Sequence, residues 1–220
     1  MNDRFESWSA AELIEWALGA FGADVAVASS FGAEDVVLID LAARTGRPFR
    51  VFTLDTDFLF PETYALIGRI EARYRVEVER CHAALTPAEQ ALEHGDALWS
   101  RDPDACCNLR KVVPLQQKLE TLGGWMTGIR RDQAPTRANA RKVEWDAKFR
   151  LMKVNPIADW SSEDVWSYIR ANGVDYNPLH DRDYPSIGCT YCTRPVLPGE
   201  DPRAGRWAGS GKVECGLHSK

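Results

Sequence analysis

The chain has 220 residues, 45% of them hydrophobic and 27% charged, with a formal net charge of −5; that is enough for one α/β domain with a full core, or a domain plus a mobile tail. No run approaches the ~18 uninterrupted apolar residues of a membrane span. The polar, acidic start is unlike a secretory signal, so a cytoplasmic protein with no membrane partner and reduced thiols is expected.

Taken in chain order, Ser9-Ala10-Ala11-Glu12 is a capping box that predicts an amphipathic helix to about Leu18. Residues 25–29 read as a short buried strand, 30–32 as a turn, and 33–45 as a helix stopped at Gly46. Residues 49–54 form a second strand, so this unit implies parallel pairing through a right-handed crossover. Pro61 suits the first turn of a helix running to about Tyr74. Residues 76–79 read as a strand, and Thr86-Pro87-Ala88-Glu89 as another capping box. A helix is expected over 111–122, with Pro114 in its first turn or kinking it. Residues 125–127 suggest a further strand, and Ser161 caps a helix ending near Asn172-Gly173. The alternation predicts an open, mostly parallel α/β sheet flanked by helices. After about Pro195 periodicity stops and Gly and Pro accumulate. Residues 1–194 are thus expected as the domain and 195–220 as a mobile tail.

Charge is unevenly spread. Residues 1–100 hold 8 Lys and Arg against 17 Asp and Glu, residues 101–150 hold 11 against 6, and residues 151–220 hold 8 against 9. The overall balance argues against a nucleic-acid partner, while the basic block suits a small anion. Three loops follow predicted strands, where ligands bind in open α/β sheets. Ser29-Ser30-Phe31-Gly32-Ala33-Glu34-Asp35 combines a Gly turn with a helix start, which favours phosphate; it lacks the Gly-Lys-Ser/Thr of a Walker A loop. Leu54-Asp55-Thr56 ends the next strand and offers acceptors to a ribose or base, or caps a turn. The segment 127–137 places Arg130, Arg131 and Arg137 in a Gly- and Pro-bearing loop, suited to bidentate oxyanion binding.

Cysteines complete the set. Cys106 and Cys107 are adjacent, Cys189 and Cys192 form a C-x-x-C, and Cys215 stands apart in Glu-Cys-Gly-Leu-His. The first four suit zinc or an iron–sulfur cluster. Adjacent helical cysteines point about 100° apart, which is awkward for one zinc ion and natural for a cubane offering one iron per thiolate. Lys111 lies four residues after Cys107, on the same helical face if the segment is helical. Cys215, in a Gly-bearing tail, reads as a nucleophile activated by His218, Arg203 or Arg206, or as an incidental thiol.

In this order the motifs resemble those of the assimilatory adenylyl-sulfate (APS) reductases of the thioredoxin-dependent APS/PAPS reductase family. The match runs through segments 30–35, 54–56, 106–111, 128–137, 155–160, 184–192 and 199–207 and the tail. The resemblance implies an adenine-nucleotide alpha-hydrolase-like (Rossmann-like) fold and a [4Fe–4S] cluster on Cys106, Cys107, Cys189 and Cys192. It implies that Cys215 attacks the sulfur of APS, AMP leaves, and thioredoxin or a similar dithiol protein releases sulfite from a Cys215 S-sulfonate, serving cysteine biosynthesis. Lys111, Arg130, Arg137, Arg203, Arg206 and His218 would surround the phosphosulfate; Ser29, Phe31, Gly32, Glu34, Asp55 and Thr56 would hold the nucleotide. A homo-oligomer is compatible with this reading. The family commonly has Gly after Leu-Asp-Thr, where this chain has Asp57-Phe58; a positive φ there would strain Asp57. The competing readings are a PAPS reductase, a non-enzymatic Fe–S redox sensor, and a zinc-bearing ATP pyrophosphatase relative.

Overall fold

Six strands form one sheet in the computed structural model, which describes residues 3–210, 212, 214, 216 and 217. They are β1 (Val25–Ala28), β2 (Arg50–Asp55), β3 (Val78–His82), β4 (Gly124–Met126), β5 (Val143–Asp146) and β6 (Leu151–Val154). Their order is β3-β2-β1-β4-β6-β5, all parallel except the edge strand β5. This is the predicted α/β class.

The helices are α1 (Asp3–Glu6), α2 (Ala10–Phe21), α3 (Ala33–Arg44), α4 (Pro61–Tyr74), α5 (Pro87–His94), α6 (Leu98–Arg101), α7 (Pro103–Cys107), α8 (Val113–Leu119) and α9 (Ser162–Asn172). The predicted capping boxes at Ser9 and Thr86 are present, and Ser161 caps α9 in the same reciprocal way. No helix among the described residues is long and apolar enough to cross a membrane.

Alternation along β1 sends side chains to opposite faces of the sheet. Val25 and Val27 join the larger core with α2, α3, α4 and α9. Ala26 meets Phe52, Trp125, Leu115 and Leu119 on the other side, under α8. The buried Asp40 carboxylate ties three helices: it accepts from Arg44 Nε at 2.6 Å, Tyr74 OH at 2.9 Å and Tyr168 OH at 2.6 Å. A buried carboxylate is tolerable when its lone pairs are filled in this way.

Three elements differ from expectation. The third strand lies at 78–82 rather than 76–79, because it is placed by pairing with β2 from Val51↔Val78 to Asp55↔His82. The hairpin β5–β6 has no clear sequence signature; its strands are four residues each and carry Glu144, Asp146 and Lys153. The helix expected at 111 instead begins at Pro103, where the Asp102 side chain accepts from Ala105 N at 2.9 Å. It widens into a π-helical turn over Asn108–Val112 before α8. A proline cannot donate to the carbonyl four residues back and crowds it; the wide turn immediately before Pro114 absorbs that conflict.

Candidate functional site

A cavity of about 820 Å³ opens at the carboxyl ends of β1, β2 and β4. The first loop forms one wall. Phe31 takes a φ of +60° and buries its ring in the core, with its N–H donating to Ser29 Oγ at 3.1 Å. Ser30 N and Oγ bind Asp35 Oδ2 at 2.6 and 2.8 Å. Gly32, Ala33 and Glu34, at the start of α3, then line the cavity. No side chain caps this helix start, so its dipole favours an anion there. Asp35 also lines the wall, and burial pushes its carboxyl up to about 6 against the pull of the Ser30 bonds. Gly128 presses on this loop from just beyond β4: a Cβ there would stand 2.5 Å from Asp35 Oδ1 and 2.8 Å from Glu34 Cβ.

Arginines form the facing wall. Arg130, 7% exposed, lies 3.0 Å from Glu34 Oε1 and also pairs with Asp132. Arg137 grips Glu214 through Nε at 3.0 Å and Nη2 at 3.1 Å, and gives Nη1 to Gln133 at 2.6 Å. Arg203 reaches the same carboxylate at 3.3 Å. Arg206 stacks on Trp207, its Cζ 4.4 Å from the ring centroid, and donates to Ser186 Oγ at 3.1 Å. Gly188 leaves room for that guanidinium, which any Cβ would strike.

Of the expected nucleotide residues, Ser29, Gly32 and Glu34 line this cavity. Phe31, Asp55 and Thr56 do not line it; they stand behind its wall. Asp55 is buried and accepts from Asp57 N at 3.0 Å and Tyr64 OH at 2.7 Å. Thr56 Oγ1 sits 3.3 Å from Cys189 Sγ, so it belongs with the cysteines. Asp57 has a φ of +58°, the conformation that the usual glycine would favour. It is held by Arg110 Nη1 at 2.9 Å. Cys215 and His218 lie outside the described residues.

The four clustered cysteines meet beside this cavity. Cys106, Cys107, Cys189 and Cys192 line a small apolar pocket with Phe58, Trp99, Tyr191, Trp207, Arg110 and Lys111. Lys111 lines both chambers and so joins them. Burial, reinforced by neighbouring cysteines, raises the Cys106 thiol and pushes Cys192 up to about 11, with Lys111 working against the rise at Cys192. Cys81 stands apart on β3.

Geometry bears on what the quartet would hold. Among the described residues, the one group of three metal-ligating side chains with all ligand atoms within 4.8 Å is Asp55, Asp57 and His82. No three of the four sulfurs are that close, whereas thiolates on a zinc ion with ~2.3 Å bonds would stand ~3.8 Å apart. A cubane, with one iron per thiolate, does not require that convergence on one ion. Two buried donors in the pocket lining, Arg110 Nε and Trp207 Nε1, also have no partner, and cluster sulfur accepts such hydrogen bonds. The residues therefore fit an iron–sulfur cluster better than zinc.

Sequence reasoning overlooked Glu214 as a partner of the arginines. His180 was also overlooked; it lines the cavity with both ring nitrogens unpartnered, and burial lowers its pKa.

Comparisons with known proteins give the same direction. Residues 24–195 match the family model of the phosphoadenosine phosphosulfate reductase domain. An adenosine 5′-phosphosulfate reductase of Shouchella clausii is 46% identical over 220 residues, covering 100% of this chain and 91% of that protein. The enzyme of that name from Halalkalibacterium halodurans is 48% identical, covering 99% and 95%. Among solved structures, the phosphoadenylyl-sulfate reductase of Candida auris, in a phosphate complex, superposes with a TM-score of 0.76 at 29% identity, covering 87% of this chain and 95% of its own. The chain belongs to the phosphoadenosine phosphosulfate reductase family.

Proposed function

We propose that this protein reduces adenylyl sulfate to sulfite and AMP in assimilatory sulfate reduction, with a thioredoxin-like dithiol protein as reductant. The reading is supported above all by one observation: a loop suited to a nucleotide, Arg130, Arg137, Arg203 and Arg206, and the residue before Cys215 share a single cavity. The full-length relatives named as adenosine 5′-phosphosulfate reductases support the choice of substrate.

Ser29, Gly32 and Glu34, at the start of α3, hold the nucleotide. Phe31, Asp55 and Thr56 fix the loops behind them. Lys111, Arg130, Arg137, Arg203, Arg206 and His218 surround the phosphosulfate. The Cys215 thiolate attacks the sulfur; an S–S bond forms, the S–O bond to the phosphate breaks, and AMP leaves with that electron pair. Charge on the leaving phosphate grows as the bond breaks, and each preorganised cation aimed at it contributes about 10²–10³ in rate. A thiol of the reductant then attacks Cys215 Sγ. Sulfite leaves, and the second thiol resolves the mixed disulfide, so the two electrons come from the dithiol.

Cys106, Cys107, Cys189 and Cys192 would hold a [4Fe–4S] cluster. When bound, it supplies fixed charge beside Lys111 and ties the α7 segment to the 189–192 segment. The protein's own residues carry the binding and transfer steps.

The test is sulfite release with reduced thioredoxin from APS and from its 3′-phosphorylated form, in wild type and Cys215→Ser. APS is the faster substrate, and the variant is inactive while keeping the visible cluster absorbance. Faster release from the 3′-phosphorylated nucleotide would replace the substrate assignment, and an active variant would remove the mechanism.

A further inference from the structure

The described tail residues lie across the cavity. Lys212 Nζ bonds Asp104 Oδ1 at 2.6 Å and Pro103 O at 3.0 Å on the cysteine-bearing helix. Lys148 Nζ donates to Gly216 O at 2.6 Å. Leu217 lines the cavity and packs on the core cluster that contains Phe52 and Leu115. Between these anchors, the Glu214 carboxylate points at the arginines and is only 16% exposed.

Its contacts are those of a bound oxyanion. Arg137 gives it two parallel bonds, Arg203 a third at 3.3 Å, and Thr136 Oγ1 a longer one at 3.4 Å. The remaining Arg137 donor shown goes to Gln133 at 2.6 Å. An incoming oxyanion therefore finds no bidentate edge on Arg137 while Glu214 stays in place. Two anions sharing that fork would also repel each other.

We propose that Glu214 is a positioning residue that occupies the anion subsite in the substrate-free enzyme, and that the phosphosulfate of the substrate displaces it. This rests on the reading of the cavity as an adenylyl-sulfate site. The exchange has a direct consequence for the tail, because Glu214 is bonded to Cys215. Filling the fork with substrate removes the contact next to the nucleophile at the moment there is something to attack, and leaves Lys212, Gly216 and Leu217 to hold the tail over the cavity. The acid also shields the arginines from other cellular anions.

Two measurements test this. First, APS binding is titrated in Cys215→Ser and in Cys215→Ser/Glu214→Gln, neither of which can turn over. The displacement reading expects about tenfold tighter binding in the double variant, equal to one ~1.4 kcal/mol competing contact removed. Where APS binds measurably, equal or weaker binding by the double variant would overturn it, since a permanent anchor costs nothing to keep. Second, the rate of iodoacetamide labelling at Cys215, located by peptide mass mapping, is followed in the wild-type holoenzyme against inorganic sulfate. Labelling accelerates and saturates in wild type, whereas Glu214→Gln is fast throughout and insensitive to sulfate. A wild-type rate indifferent to sulfate overturns the proposal. If neither variant binds APS but sulfate still accelerates wild-type labelling, the exchange stands and the substrate assignment falls.

Discussion

Replacing Arg110 with Met tests how the cysteine pocket is held together. Its guanidinium is 1% exposed and joins three segments: it donates to Thr56 O at 3.1 Å, Asp57 Oδ2 at 2.9 Å and Leu85 O at 3.3 Å, and lies 4.7 Å over the Phe58 ring. Met keeps most of the apolar stem. The loss is then two carbonyl bonds at about 1 kcal/mol each and one charge-assisted bond at about 1.5–3 kcal/mol. His82 Nδ1, 3.4 Å from the other Asp57 oxygen, leaves that carboxylate partly accompanied. The expected destabilisation is about 3–5 kcal/mol. For a chain of this size each kcal/mol lowers Tm by about 2–4 °C, so calorimetry of the cluster-free protein should show a fall of at least ~6 °C. Asp57→Gly supplies the second edge of a double-mutant cycle. It relieves the positive φ of +58° while removing the partner, and the coupling between the two sites should be about 1–3 kcal/mol. A Tm change under ~2 °C for Arg110→Met, or additive effects in the cycle, would refute this account of the pocket.

Other expectations follow from the same geometry. Gly128→Ala drives a methyl into Asp35 and Glu34, so KM for APS rises at least severalfold with a smaller change in kcat; unchanged kinetics would show that the first loop yields freely. Asp35 binds its proton more tightly folded, at about 6, than unfolded, at 3.8. Its contribution thus falls as pH rises from about 4 to 6 and levels off above. Relative to wild type, Asp35→Asn should gain stability across that window, and a pH-independent difference in Tm would contradict the shift. Serine at Cys106, Cys107, Cys189 or Cys192 should abolish or deplete the visible cluster band, whereas Cys81→Ser should leave it intact, as absorbance of anaerobically purified protein will report. Because burial holds Cys106 and Cys192 protonated, cluster assembly in vitro should release protons and slow as pH falls.

The parallel core was legible because its signals are local. Ser9, Thr86 and Ser161 announce their helices by capping chemistry, Pro61 marks the start of α4, and the apolar run of β1 has few other uses. What escaped was decided by distant partners. The β5–β6 hairpin is stabilised by joining an existing sheet edge, and the buried Lys153 is tolerated over the Trp125 ring at 5.0 Å. The π turn before Pro114 interrupts the 3.6-residue period, so a helical pattern read along 103–119 gives no sign of it. In the site, the βα loops and arginines could be named from their place after strands. That Thr56 faces Cys189 rather than the cavity depends on a contact across 133 residues. The pairing of Glu214 with Arg137 spans 77 residues and was equally invisible locally.

One reaction at Cys215 carries the proposed mechanism. Holoenzyme mixed with a stoichiometric amount of APS and no reductant should release one AMP per chain and carry a sulfonate on Cys215 alone, located by mass spectrometry, with sulfite appearing only when reduced thioredoxin is added. AMP retained until reductant arrives, or a sulfonate found on any other cysteine, would contradict it.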